Sequence, residues 1–230
     1  MGVTIEKVVG PSGDQWEMAV EALRIPMWSM GKSDSEWKWV EDESIINPND
    51  PGYMFVLGEA DLALMKRLAK AGSDHRKFLR TLPIVIKFTG PMMFLLQLDT
   101  YKVGTVTCSS SKMHALMHKP FEVSDFSFAN KIVPQEEYQP AIDEFNHLRD
   151  WYLECEDPIL KKEIWQAVLD ALPESYNQTR VMSLNYEVLW AMYNARKNHK
   201  IIFWHEFLDG VIPQVPYFKE IFGIEDRYDK

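Results

Sequence analysis

The stretch Gln97-Leu-Asp-Thr-Tyr-Lys-Val-Gly-Thr-Val-Thr-Cys-Ser-Ser-Ser-Lys-Met-His114 sets the reading of this chain. It places Lys102 and Lys112 on either side of a hydroxyl-rich run, Thr105 to Ser111. Backbone amides and hydroxyls in such a run can donate to phosphate oxygens while lysine supplies charge. A Ser/Thr-rich surface turn reads the same way from composition alone. A second stretch, Tyr176 to His199, sets Asn185, Arg196 and His199 around an apolar, helix-forming run. Arg196 falls in the last turn of that run. A guanidinium there complements the helix dipole, or it forms paired hydrogen bonds to a planar carbonyl or phosphate.

Working outward, the flanking patterns are mostly helical. A first helix is expected from Asp14 to Leu23, opened by a Ser12/Asp14 cap region with Glu17 three residues after Asp14. Residues 25–56 carry Pro26, Gly31, Pro48, Pro51 and Gly52 among polar residues and read as a long loop. Trp28, Trp37 and Trp39 suggest that parts of it pack on something, and Glu41, Asp42 and Glu43 read as a solvated acidic turn. Leu62, Met65, Leu68 and Ala69 recur at helical spacing from Glu59 to Ala71, with Gly72 as a stop. Leu82 to Phe88 reads as a strand, closed by Gly90-Pro91, and Met92 to Leu98 as a buried helix. Amphipathic helices follow at Glu136–Leu153 and Pro158–Leu172, the second with Asp157 as cap and Pro158 in its first turn. Val181 to Leu184 is a short strand, Asn185 caps a helix to Lys197, and a last helix covers Ile202 to Gly210. The class is α+β: a helix-rich single domain, residues 1–230, with a small sheet.

Composition excludes several functions. The 230 residues hold 25 Lys+Arg and 34 Asp+Glu, a net charge of −9, and 46% are hydrophobic. That is too apolar for a disordered chain and too acidic for a general nucleic-acid coat, because phosphate binding is driven by Lys and Arg. A local cationic pocket for one phosphate is still compatible with it. No apolar run approaches the ~20 residues of a membrane helix. The N-terminus lacks a basic flank and apolar stretch, and Glu6 does not suit the myristoylation pattern. Two cysteines, Cys108 and Cys155, form no CxxC, so a cytoplasmic protein is expected. His114 and His118 sit four apart with no third ligand nearby, so no metal site is assigned. Cys108 reads as a packing residue, and Asp99 as one half of an ion pair.

Together the two stretches resemble the flavin-dependent thymidylate synthases, and more closely a divergent phage-type branch. That family's signature runs Arg-His-Arg-x-x-Ser-x-Asn-Glu-x-Ser-x-Arg-Tyr. Thr100-Tyr101-Lys102-x-x-Thr105-x-Thr107-Cys108-x-Ser110-x-Lys112-Met113 follows it without a gap. Ser110 is identical, Lys102 keeps a cation, and Thr105 and Lys112 are conservative. The first arginine, the histidine and the glutamate are Thr100, Tyr101 and Cys108. Upstream, Lys70-Ala-Gly-Ser-Asp-His75-Arg-Lys-Phe-Leu-Arg80-Thr81, the strand and Gly90-Pro91 come in the family's order. Downstream, Leu172-Pro173, Arg180, Asn185 and Arg196 reproduce its spacing, with His199 near its following histidine and Leu169 where it has an arginine. The resemblance covers roughly residues 15–210.

The resemblance implies a homotetramer with sites at subunit junctions. It implies FAD as cofactor, with NADPH and methylenetetrahydrofolate as co-substrates, methylating dUMP or a related pyrimidine nucleotide, in the host cytoplasm if the chain is phage-encoded. By position Gln97, Ser110 and Lys112 would hold the nucleotide phosphate. Arg196 would face the uracil carbonyl, and Arg196 and Ser110 are the catalytic candidates. Lys102, Asn185, His75, His199 and Arg80 would contact the flavin. The alternative is a non-catalytic nucleotide-binding or host-interaction protein on the same fold.

Overall fold

The computed structural model describes residues 2–39, 52–128 and 132–225. β1 (Thr4–Val9) leads into α1 (Gly13–Arg24). Ser12 caps α1 and Gln15 reciprocates, its side chain accepting from the Ser12 amide at 2.8 Å. The capping box is therefore Ser12/Gln15, not one begun by Asp14. Glu17 instead accepts from the Trp37 indole at 3.1 Å.

The expected loop at 25–56 is only partly a loop. After two 3-10 turns, Ile25–Met27 and Met30–Lys32, β2 (Glu36–Trp39) pairs antiparallel with β3 (Tyr53–Val56). Trp37 opposite Phe55 and Trp39 opposite Tyr53 supply the aromatic cross-strand pairs that stabilise a hairpin. Pro and Gly between the runs obscured this alternation in the sequence. Trp37 packs against Gly13, but Trp28 is 98% exposed and packs on nothing substantial, contrary to expectation. Glu41, Asp42 and Glu43 lie outside the described residues.

α2 (Glu59–Lys70) follows Gly58, and a 3-10 segment (Lys77–Thr81) leads into β4 (Pro83–Pro91) and α3 (Met92–Leu98). β5 (Val106–Ser109) and the short α4 (Lys112–Ala115) come from the hydroxyl-rich stretch. α5 (Gln139–Glu154) and α6 (Pro158–Ala171) form a helical pair, with Asp157 Oδ1 accepting from the Ile159 amide at 2.9 Å as the sequence suggests. β6 (Asn177–Asn185) then runs directly into α7 (Tyr186–Arg196), α8 (Ile202–Val211) and α9 (Phe218–Phe222).

β1, β4, β6 and β5 form one antiparallel sheet in that order. Because side chains alternate along a strand, β4 sends Ile84, Ile86 and Phe88 inward and leaves Val85 and Lys87 exposed. The inward face meets Phe94, Phe203, Trp204, Phe207 and Tyr186, all fully buried, each contributing on the order of 1.5–3 kcal/mol or more by burial. A smaller cluster under α5 and α6 gathers Phe121, Phe126, Ile142, Phe145 and Val168. β6 extends to nine residues, beyond the expected 181–184. The added positions 177–180 matter, because the inward row of the strand reads Gln178, Arg180, Met182, Leu184, so two polar side chains point toward the protein interior.

Candidate functional site

Residues from α3, α7 and α8 converge on one aromatic platform. Trp204 is fully buried and donates its indole N–H to Gln97 Oε1 at 2.9 Å. The Arg196 guanidinium lies over the Trp204 ring, 4.8 Å from its centroid, and donates from Nε to the Tyr101 hydroxyl at 3.1 Å. The Tyr101 ring meets Trp204 edge-on at 5.9 Å, and the His199 ring approaches Trp204 at 6.3 Å. A guanidinium stacked on an aromatic face and tied at Nε has its terminal nitrogens aimed by the protein rather than by solvent. Gln97, with its oxygen engaged by Trp204, presents its amide nitrogen as a donor. Three residues expected from the sequence, Gln97, Arg196 and His199, are thus brought together.

The His199 pKa lies below the ordinary imidazole value. Partial burial disfavours its charged form, and the Arg196 charge and His205 lower its pKa further. Its Nδ1 accepts from the Ile201 amide at 3.2 Å, and its carbonyl meets His205 Nε2 at 2.8 Å.

At the other end of α7, roughly 16 Å along the helix at 1.5 Å per residue, Asn185 Oδ1 caps the helix from the Val188 amide at 3.1 Å. Gly104 sits against that cap in a left-handed conformation (φ +75°), and a Cβ there would come 3.1 Å from Val188 and 3.4 Å from Asn185 Nδ2. Asn185 and the turn bearing Lys102 are therefore neighbours. Lys102, Thr105, Thr107, Asp99, Tyr101 and Met182 line a cleft of about 200 Å³. The 3-10 segment before β4 reaches the same end of α7. Arg80 and Arg76 both bond Glu187, the latter at 3.2 Å. Burial pushes the Glu187 carboxyl up, but the hydrogen bonds from Arg80 and Arg76 outweigh it and hold the group below the usual carboxylate range. Arg80 is therefore largely neutralised by a partner, whereas His75, five residues earlier, is exposed.

Ser110 and Lys112 are held elsewhere along β6. The Ser110 amide donates to Thr179 O at 2.9 Å, and Ser110 O accepts from the Gln178 side chain. Lys112 opens α4 immediately after it. In a single chain the hydrogen bonds of Ser110 lead to β6 and those of Arg196 to Tyr101. What links the two regions is a network the sequence reading did not assemble. Arg180, 5% exposed, makes a two-pronged pair with Asp99 and donates from Nε to Gln178 Oε1 at 3.2 Å. Asp99 lies two residues before Tyr101, and Gln178 bonds the Ser110 carbonyl, so the network ties the two ends of the hydroxyl-rich stretch together. The alternation of residues 178, 180, 182 and 184 was the available signal. Tyr101 entered the sequence reading only as the residue at the signature's histidine position and Trp204 not at all, because nothing local shows that the two rings meet. Among the described residues no group of three metal-ligating side chains occurs, and no helix is long and apolar enough to cross a membrane.

No family model matches the chain, and no curated protein matches it by sequence. Its fold does match solved structures. The flavin-dependent thymidylate synthase from Helicobacter pylori, complexed with FAD and dUMP, aligns over 96% of each chain with a TM-score of 0.63 at 16% identity. A second structure of that enzyme with FAD and dUMP covers 96% of this chain and 95% of its own, with a TM-score of 0.62 at 14% identity. The chain shares the flavin-dependent thymidylate synthase fold across nearly its whole length.

Proposed function

We propose that this chain binds dUMP or a related pyrimidine nucleotide beside FAD and methylates it, using methylenetetrahydrofolate and NADPH. The observation that carries the reading is the Arg196 guanidinium, oriented by Trp204 and Tyr101 next to Gln97 and His199. It stands on a fold shared with an enzyme solved with FAD and dUMP. Arg196 faces the pyrimidine carbonyl and stabilises negative charge developing on the ring, a contribution worth ~10²–10³ in rate for a single donor. Gln97, Ser110 and Lys112 hold the phosphate.

The residues around the start of α7 suit FAD. Lys102, Asn185 and His75 offer a cation, an amide and an imidazole. Glu187, the acid at this corner, is already neutralised by Arg76 and Arg80. A diphosphate-bearing group meets the Lys102, Asn185 and His75 donors there, with Asp74 the acid left within electrostatic range of Arg80. The chemistry a reduced flavin supplies when bound is hydride transfer to the one-carbon unit. Lys102 and Asn185 bind and orient the cofactor with Arg80 at the same corner, and His199 meets it from the other end of α7, beside Arg196. The cleft by Lys102, about 200 Å³, is smaller than the ~300–1,000 Å³ of small-molecule sites, so it holds a phosphate-sized group rather than a whole dinucleotide. The reading therefore includes a homotetramer in which neighbouring copies provide the missing walls and bring Ser110 and Lys112 to the nucleotide.

A second reading is a nucleotide binder without turnover. It is favoured by Tyr101, which stands where the family signature has histidine and takes up Arg196 Nε, and by Thr100 and Leu169 at two of the family's arginine positions. The visible spectrum and solution mass of freshly purified protein test the first reading: a yellow tetramer is expected. Colourless protein that takes up no added FAD overturns it. Calorimetry with dUMP and dTMP tests the second, and no binding of either overturns both.

A further inference from the structure

We propose that a second cationic cavity, built from elements other than those around Arg196, binds a phosphorylated small molecule with a planar ring. The cavity, about 400 Å³, lies between the end of α1, the two 3-10 turns that follow it, and α2. Met27, Ala63 and Leu64 give it an apolar floor, and Arg24, Lys32 and Arg67 line it with no carboxylate among the lining residues. Two acids close in sequence to the lining residues, Asp61 and Asp34, are already engaged. Asp61 takes Arg24 Nε at 2.6 Å and the Ser33 and Ser35 hydroxyls at 2.6 Å each. Asp34 takes the Ala60 and Asp61 amides at the start of α2, at 2.8 and 3.1 Å. Neither Lys32 nor Arg67 forms an ion pair among the described residues.

Two unpaired cations facing one cavity repel each other, and they do so in a chain with net charge −9. An anion between them removes that repulsion and accepts charge-assisted hydrogen bonds from both. The size is that of a small-molecule site, and the apolar floor suits the organic part of a ligand. Trp28 specifies that part. It stands between Met27 and Ser29, which both line the cavity, in a left-handed conformation (φ 49°), and it is 98% exposed. A bulky residue at positive φ is a backbone outlier, and this one keeps its indole in water although both of its chain neighbours line the cavity. A planar ring stacked on it would recover that exposed surface. The class is a phosphomonoester or diphosphate carrying an aromatic ring.

The test is calorimetry on the full chain with two probes, inorganic pyrophosphate and AMP, in the Arg196→Ala background. That background removes the nucleotide site of the proposed function, and dependence on Lys32 and Arg67 separates binding in this cavity from binding at the flavin corner by Lys102 and Asn185, so failure of one proposal is separable from failure of the other. One binding event per chain is expected, weakened by added salt and about tenfold by Lys32→Ala or Arg67→Ala, on the scale of one charge-assisted hydrogen bond. Lys32 and Arg67 are both exposed, so both variants should melt like the parent. Trp28→Ala should weaken AMP and leave pyrophosphate unchanged. No binding of either probe overturns the proposal, as does binding indifferent to both cation substitutions. An equal effect of Trp28→Ala on the two probes overturns the assignment of the ring.

Discussion

Asp61→Asn removes the charge that partners Arg24 in the interior. The carboxylate is fully buried, with Arg24 Nε on one oxygen. Its other oxygen takes two serine hydroxyls and the amides of Asp34 and Ser35, at 3.3 and 3.2 Å. An amide at this position keeps one acceptor oxygen but turns an N–H₂ toward groups that are themselves donors. Breaking a buried pair by removing one partner costs about 3–5 kcal/mol, because the remaining charge is uncompensated. For a chain of this length that corresponds to a fall in melting temperature of roughly 6–20 °C. Burial pushes the Asp61 carboxyl up, yet the hydrogen bonds from Ser33, Ser35 and Arg24 outweigh it and hold the folded-state pKa below the ordinary 3.8. The folded state thus binds its proton later than the unfolded chain. The contribution is full above the unfolded-state value and is lost as pH falls through the lower folded-state value. Calorimetric melts from about pH 7 down to about pH 2.5 should show the parent losing this component in acid and the variant lacking it throughout. The double variant Arg24→Met/Asp61→Leu should recover only part of the loss at neutral pH, because it removes the stranded charge but leaves the Ser33, Ser35 and Asp34 donors without their acceptor. A loss of less than about 1 kcal/mol in Asp61→Asn, the scale of an exposed pair, would refute the assignment of Asp61 as a buried anchor.

Arg196→Ala should abolish nucleotide binding, or lower turnover by ~10²–10³, while leaving circular dichroism unchanged; unaltered affinity and rate remove Arg196 from the site. Gly104→Ala places a Cβ at positive φ and 3.1 Å from Val188, and should cost about 1–2 kcal/mol in urea unfolding while weakening flavin uptake through the Asn185 turn. A neutral result there would show that the turn adjusts freely. The His199 pKa, read by NMR, should lie below 6.5 in the parent and move up toward that value in Arg196→Ala, because a nearby cation is gone. Its lowered folded-state pKa means that stability falls as pH drops below the unfolded value of 6.5 through the folded one. A His199 titration that does not move between the two proteins counts against their proximity.

Much of the helical framework was legible because its signals are local. The Asn185 cap, the Asp157-Pro158 start and the 3.6-residue periodicity of Leu62, Met65 and Ala69 each involve neighbours within a turn or two. The strands were harder. β1 passed unread, since Thr4–Val9 buries few side chains, and β2 and β3 stabilise each other across a stretch that includes residues outside the described chain. The Ile- and Val-rich run of β4 was plain, whereas β6 was cut short because Gln178 and Arg180 look like surface residues until Asp99 is seen to pair with Arg180 across 81 residues.

The amino-acid order alone determined the α+β class and the place of most helices, since those rest on residue type and spacing, and its resemblance to the flavin-dependent thymidylate synthases supplied the candidate set Gln97, Lys102, Ser110, Lys112, Asn185 and Arg196. Which of them meet was decided by tertiary packing. Trp204 draws Gln97, Arg196 and His199 to one platform, Gly104 brings the Lys102 turn to Asn185, and Ser110 is held apart on β6. The reason is physical: a guanidinium's orientation depends on which ring and hydroxyl the fold brings against it, and those partners lie 95 residues away for Tyr101 and on another helix for Trp204.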